Sequence, residues 1–263
     1  MATISRTRLI ALFVPPVVIG YSVHHGLRSL EQQYPNVPID NSTSIALRTP
    51  SHPSSQHCPR IDLFTARVPL KALQSRLPQT KQPNEKTTPS TQDLTTTWAQ
   101  TLFNTKPLRA EAKLCGLLTG AGFNTGDLGD TPAAFAPDPI TKAPRVLAHG
   151  AFVVERPPAE DDHYGLLVRW DMADEVRRFF ERIALWGYPW RMMSGGRHEL
   201  MVSAPFEVDG EGPFVEVGFA SAHDYEVVAS EGENQKMIPE WTQRLHCGYA
   251  RLLLHAAVRE LKQ

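Results

Sequence analysis

The order of apolar and polar positions divides the chain into three stretches. It opens on an apolar run, Leu9-Ile-Ala-Leu-Phe-Val-Pro-Pro-Val-Val-Ile-Gly-Tyr-Ser-Val23. Residues 31–60 follow, rich in Pro, Ser, Thr, Gln and Asn and poor in large apolar side chains. Such a composition buries too little surface to offset the entropy of ordering it. Beyond residue 60 the periods of both regular structures appear. The expected organisation is therefore a hydrophobic anchor or leader at 1–30, a disordered linker at 31–60 and a single domain at 61–263.

Within that domain, Ile61–Val68 reads as a first strand and 76–92 as a polar surface loop. Ser90 and Asp93 form a capping pattern, and Leu94, Trp98 and Leu102 recur behind it at helical spacing. Pro107 interrupts, Leu108–Leu118 resumes as a helix, and the glycines and prolines from Gly120 to Pro144 read as loop. His149–Glu155 reads as a strand that places His149 and Glu155 on one face. His163–Met172 alternates, with Tyr164, Leu166, Val168, Trp170 and Met172 together. Asp171 and Asp174 are placed to cap a helix whose stripe is Val176, Phe179, Phe180 and Ile183. Ser194-Gly-Gly196 turns into a strand at Glu199–Ser203, and Asp209-Gly-Glu-Gly212 into a long one, Phe214–Val228. Pro239 opens a closing helix carrying Trp241, Leu245, Tyr249, Leu252, Leu253 and Ala256 on one side. Strands joined by short turns and flanked by helices predict an α+β fold, with a mostly antiparallel sheet packed against the long C-terminal helix.

Composition narrows the function classes. Apolar residues make up 41%, enough for a sizeable core, and the net charge of −1 excludes a phosphate-binding surplus of Lys and Arg, so no nucleic-acid partner is expected. The balance is uneven: residues 1–90 carry +6 and the remainder −7. Arg6 and Arg8 precede the apolar run, and no acidic residue occurs before Glu31. The run is fifteen residues long and contains Pro15-Pro16, shorter than the ~20 of a straight membrane-crossing helix. It reads as a single-pass signal-anchor that ties the protein to a membrane of the secretory pathway, with a cleaved signal peptide or a mitochondrial leader as the other readings. Asn41-Ser42-Thr43 is a glycosylation acceptor triplet if this part is lumenal.

Specific chemistry is sparse. Cys58, Cys115 and Cys247 have no metal-ligand spacing, and the last two read as buried thiols. Gly120-Ala-Gly122-Phe-Asn-Thr-Gly126 lacks the strand before and helix after it that a dinucleotide loop needs. Glu160-Asp-Asp-His163 reads as solvated loop, and no HExxH, GxSxG or P-loop sequence occurs. No metal and no cofactor are expected.

The informative element is the long strand. Its two-residue period puts Val215, Val217, Phe219, Ser221, His223, Tyr225 and Val227 on one face, and the opposite face is the more polar. The first face is expected to point inward, placing a hydroxyl, an imidazole and a phenol where each needs a partner. His198 shares a face with Leu200 and Val202 and is also expected inward, with Trp190 and Arg191 just before its turn.

Gly196-Arg-His-Glu-Leu-Met-Val202, the strand Phe214–Val228 and the closing-helix segment Arg244-Leu-His-Cys-Gly-Tyr-Ala-Arg-Leu-Leu-Leu254 resemble the end of START-like (helix-grip) proteins. The resemblance spans about residues 140–263. Leader, linker and body are also similar to membrane-anchored proteins of filamentous fungi. It implies a curved antiparallel sheet around a C-terminal helix, enclosing an apolar cavity for lipids, polyketides or terpenoids. It implies either a carrier or a cofactor-free cyclase or isomerase, and carries over no catalytic residue.

The combined expectation is a membrane-tethered binding or tailoring protein for a small hydrophobic molecule. Its catalytic groups would be His223 for proton transfer, Tyr225 as hydrogen-bond donor and His198, with Arg191 as the alternative, to orient a substrate oxygen. Arg191, Ser221 and Trp190 would contact the ligand. The alternative is a non-enzymatic interaction or assembly protein of an organelle membrane.

Overall fold

A computed structural model describes residues 6–39, 43–78, 89–131, 133–160, 164–208 and 210–263. Asn41 and Ser42 of the acceptor triplet, most of the 76–92 loop and Asp161–His163 lie outside the described residues.

The fold is α+β. Its strands are β1 (Gln56–Pro69), β2 (Val146–Leu147), β3 (Phe152–Arg156), β4 (Leu166–Asp171), β5 (Gly195–Val202), β6 (Phe206–Val208) and β7 (Gly212–Glu226). They form one seven-stranded antiparallel sheet in the order β1-β7-β5-β4-β3-β2, with β6 pairing beside β7. The helices are α1 (Arg6–Gln33), α2 (Ile45–Arg48), α3 (Leu70–Gln74), α4 (Thr91–Phe103), α5 (Lys106–Leu118), α6 (Asp174–Leu185) and α7 (Glu240–Leu261). No helix among the described residues is long and apolar enough to cross a membrane.

The inner face of the sheet carries the main core, against α4 and α7. Ser90 caps α4 by accepting from the Asp93 amide at 3.1 Å, and Leu94, Trp98 and Leu102 are buried, as their spacing predicts. Trp98 donates through Nε1 to the Gly218 carbonyl at 3.0 Å, fixing α4 over the middle of β7. The closing helix forms as predicted but is rotated. It buries Cys247, Gly248, Ala250, Leu253, Leu254, Ala257 and Val258, and leaves Trp241, Leu245 and Leu252 exposed. The first turns of α7 lie over polar side chains of β1 and α1 instead of the apolar core: Gln243 donates to Asp62 and Arg244 pairs with Glu31.

The outer face holds the largest departure from the sequence reading. Ala220, Ala222 and Asp224 on the supposedly solvated side of β7 are fully buried. They are covered by the stretch expected to be linker. Tyr34, Thr43, Ser44 and Leu47 are buried, α2 forms there, and β1 begins at Gln56 instead of Ile61. Polarity hid this order. The stretch contributes hydrogen-bonding groups, and what it covers is charged. Arg197 and Asp224, each 1% exposed, pair in bidentate fashion with both bonds at 2.7 Å. Arg197 Nε donates to the Leu47 carbonyl at 2.9 Å, and the Ser51 amide donates to Asp224 at 3.2 Å. Beside them the buried Glu199 accepts from Arg156 and from the Ser44 amide.

Two smaller expectations also change. His149 is not on a strand: it sits at φ +57° in a 3-10 turn and bonds the Asn124 carbonyl, while Glu155 pairs with Arg169. The two never meet, because the turn aims His149 at the glycine loop. α6 forms as predicted, without an aspartate cap. Its stripe is uncovered, with Val176 40% and Phe179 53% exposed and only Ala184 buried.

The buried pair sets a first expectation. Arg197→Met, which strands the Asp224 carboxylate, should cost about 3–5 kcal/mol in denaturant unfolding. The double variant Arg197→Met, Asp224→Leu should lose less than the single one, because no unpaired charge remains inside. A single variant as stable as the parent would contradict the role given to this pair.

Candidate functional site

Between the inner face of the sheet and helices α4, α5 and α7 lies a cavity of about 550 Å³, within the size range of small-molecule sites. Phe103, Phe152, Trp170, Phe219 and Leu253 give it an apolar wall. Five polar side chains interrupt that wall: His198, His246, Tyr249, Glu111 and Asp171. A second cleft of about 580 Å³ lies between β1, the end of β7, α1 and α7. It is polar, bordered by Glu31, Arg60, Arg244, Arg251, His223 and Tyr225.

His198 projects from β5 into a cage of aromatic rings. It stacks on Trp170 at 6.3 Å between centroids and 23°, and lies 5.1 Å from Phe219 and 5.9 Å from Phe152. Gly196 makes this possible: a Cβ there would come within 2.2 Å of the Ala222 carbonyl and 3.0 Å of the Trp170 ring, so only glycine lets the indole lie flat on β5. Enclosure holds the imidazole neutral, with burial first and the neighbouring His246 second pushing its pKa down to about 3. The bare part of its surface faces the cavity, which it lines. His198 Nδ1 and Trp170 Nε1 are both buried with no hydrogen-bond partner.

On β7 the sequence reading of the inner face holds. Ser221, His223 and Tyr225 are 1%, 1% and 2% exposed. They do not share one site. His223 and Tyr225 border the polar cleft, whereas His198 lines the apolar cavity. The link between them is His246 on α7, whose Nε2 lies 2.7 Å from His223 Nε2, with the Ser221 hydroxyl 3.3 Å from that same atom. One proton is therefore shared between the two Nε2 atoms. Burial, then neighbouring positive charge and imidazoles, lowers His223 well below the usual histidine range; burial also lowers His246, against the pull of Asp62. Burial lifts the Tyr225 phenol to about 12, so it stays protonated.

Arg191 and Trp190 fall outside both cavities. Arg191 is buried and held by Glu231 at 2.8 Å, and Trp190 packs edge-on against Tyr188 and Trp241. Their proximity in sequence to the glycine turn misled: the chain runs away from the cavity before that turn, so these side chains brace the 229–237 loop. Two lining groups escaped the sequence reading, His246 and Glu111. His246, Tyr249 and Leu253 share one side of α7 by their three- and four-residue spacing, but a search for apolar stripes passes over the first. Glu111 is visible only through its partner, since the Tyr249 hydroxyl donates to its carboxylate across the α5–α7 gap. Burial and that carboxylate together raise the Tyr249 pKa.

No protein family, curated protein or solved structure matches this chain. What the structure shares with the resemblance drawn from sequence is the coarse arrangement, an antiparallel sheet with a C-terminal helix across it.

Chemically, the cavity is an apolar volume lined by two residues, Trp170 and His198, that each carry a buried unpaired ring nitrogen, and by His246 of the neutral histidine pair. Among the described residues no group of three His, Cys, Asp or Glu is arranged to hold a metal ion.

The neutral histidines make stability depend on pH. The unfolded His198 takes up a proton near pH 6.5 while the folded one does not until about 3, so stability present above pH 6.5 is lost as pH falls through that window. Between about pH 7.5 and about pH 5 this one group should remove on the order of 2 kcal/mol, read as a lower urea midpoint. His198→Phe should flatten that slope. An unchanged slope would mean that the imidazole is not enclosed.

Proposed function

We propose that this protein binds a small, neutral, largely apolar molecule in the cavity between sheet and α7. The observation that carries the reading is the pair of unpartnered buried nitrogens, Trp170 Nε1 and His198 Nδ1, in residues of a mainly apolar wall. A buried donor without a partner costs about 1–3 kcal/mol, so a site that retains one gains by receiving an acceptor. Trp170 can only donate, which calls for a ligand oxygen such as a carbonyl or hydroxyl. Neutrality follows from the same wall. Its histidines are held uncharged and the charged side chains of its lining, Glu111 and Asp171, are both carboxylates, so an anionic head group would find repulsion and no counter-charge there. Polyketide- or terpenoid-like molecules meet this description. In this reading the N-terminal apolar run keeps the cavity beside a membrane in which such molecules concentrate.

The second reading, an interaction or assembly protein, draws on α6. Phe179, Leu185 and Trp186 are 53%, 74% and 82% exposed on a helix that barely touches the body of the fold. The two readings separate in one experiment on the full chain. Native mass spectrometry should find a neutral apolar molecule on the purified protein. An environment-sensitive apolar fluorophore should bind once that molecule is extracted. Ala250→Phe, which fills the cavity from α7, should weaken fluorophore binding by at least about tenfold, because overpacking leaves no room beside α7. A protein that arrives empty, and whose fluorophore binding is indifferent to Ala250→Phe, would favour the second reading.

A further inference from the structure

His246 and His223 lie in the wall between two differently solvated spaces. His246 lines the apolar cavity, His223 borders the polar cleft, and the two rings meet edge to face, 4.4 Å between centroids. The bond between them uses Nε2 of both rings and leaves Nδ1 of each outside it. Each ring thus keeps a second nitrogen for exchange. Two histidines placed only to fill the core would be an expensive choice, since both must be desolvated and both are kept from charging.

We infer that the protein catalyses proton transfer on its bound molecule, with His246 as the base in the cavity and His223 as the relay that passes the proton to the water-facing cleft. This rests on the cavity being the ligand site. The substrate class is a carbonyl compound with an acidic C–H beside the carbonyl. His246 takes the proton, the C–H electron pair becomes the carbon–carbon double bond of the enolate, and the negative charge on oxygen is met by the Trp170 Nε1–H. The His246 imidazolium gives its Nε2 proton to His223, which exchanges it with water. In a substrate whose acidic carbon also bears a carbon–carbon double bond the enolate is a dienolate, and a proton taken from water by the reverse path, through His223 to His246, is delivered to its γ carbon. The C=C electron pair forms that C–H bond, the carbonyl is restored, and the double bond has shifted with no oxidant, reductant or cofactor consumed. His246 is the catalytic residue; His223 is a positioning and relay residue, with the Ser221 hydroxyl holding its Nε2 side. The groups that face the pair are His198 from β5 and Asp62 and Arg60 from β1, with Arg197 acting from the other side of the sheet, and all but Asp62 oppose a lasting positive charge on the rings. The imidazolium is accordingly transient.

The test uses nitrobenzisoxazole, a compact neutral probe of bases in apolar sites. Loss of its ring C–H proton forms a nitrile, breaks the N–O bond and releases a coloured phenolate. The full chain should accelerate this by about a hundredfold over the same buffer, the lower end of what a positioned base supplies. His246→Gln should abolish the acceleration while the apolar fluorophore still binds. His223→Ala should slow turnover by about tenfold, and added imidazole should restore it, which a purely structural loss would not allow. Fluorophore bound and displaced by the probe, with a rate equal in the parent and His246→Gln, would overturn the proton-transfer assignment alone. Failure of both small molecules to enter would overturn the binding reading, and this inference with it.

Discussion

The bidentate contact of Arg197 with Asp224 is the constraint on which the rest of the molecule depends. It joins the two central strands, β5 and β7, on the face away from α7 and in nearly complete isolation from water. A charge pair placed there is tolerable only when its remaining donors and acceptors are satisfied. The partners come from the chain before β1: the Leu47 carbonyl, the Ser51 amide and, for the neighbouring Glu199, the Ser44 amide. A polar tract is thereby fixed as structure. Had those positions on β5 and β7 been apolar, the same tract would have had nothing to bind.

Closing the outer face in this way frees the inner one. A single-layered sheet must take most of its stability from the face that packs, and that face then has no room for voids. Here both faces are covered, the outer by bonded charges and the second small core around Leu47, Leu63 and Ala222, the inner by α4 and α7. The sheet can therefore carry an open volume beside His198. The alternation of side chains along β5 states the division most plainly: Arg197 and Glu199 belong to the clamp, while His198 between them belongs to the cavity.

Much of this was legible, for reasons that mark where it stopped. Period-two and period-3.6 patterns locate β4, β7, α4 and α7 because burial on one side of an element is written in its own residues. They also place Ser221, His223, Tyr225 and His198 inward. Three things lie beyond such patterns. Residues 43–56 order through backbone amides and carbonyls, groups that every residue possesses and no composition reveals. β7 is buried on both faces, so its even positions, small or charged, imitate a solvated side. The separation of His223 from His198 into different spaces depends on how α7 crosses the sheet. A rotation of that helix exposes Trp241 and Leu245 and turns His246 inward, and the apolar stripe alone would set it differently.

Charge is also sorted between the two spaces in a way that bears on what each can do. The arginines that border a cavity, Arg60, Arg244 and Arg251, all sit on the polar cleft, each close to a carboxylate or a carbonyl: Asp62, Glu31 and the Tyr34 carbonyl. None reaches the apolar cavity. The histidine pair is the point of contact, and it is uncharged in both directions. A wall of this composition opposes the entry of ions, because an ion would be stripped of water beside two rings that burial already keeps neutral, with no opposite charge from the arginines to receive it. The cleft thereby keeps the salt bridges and the cavity keeps the aromatic and aliphatic wall.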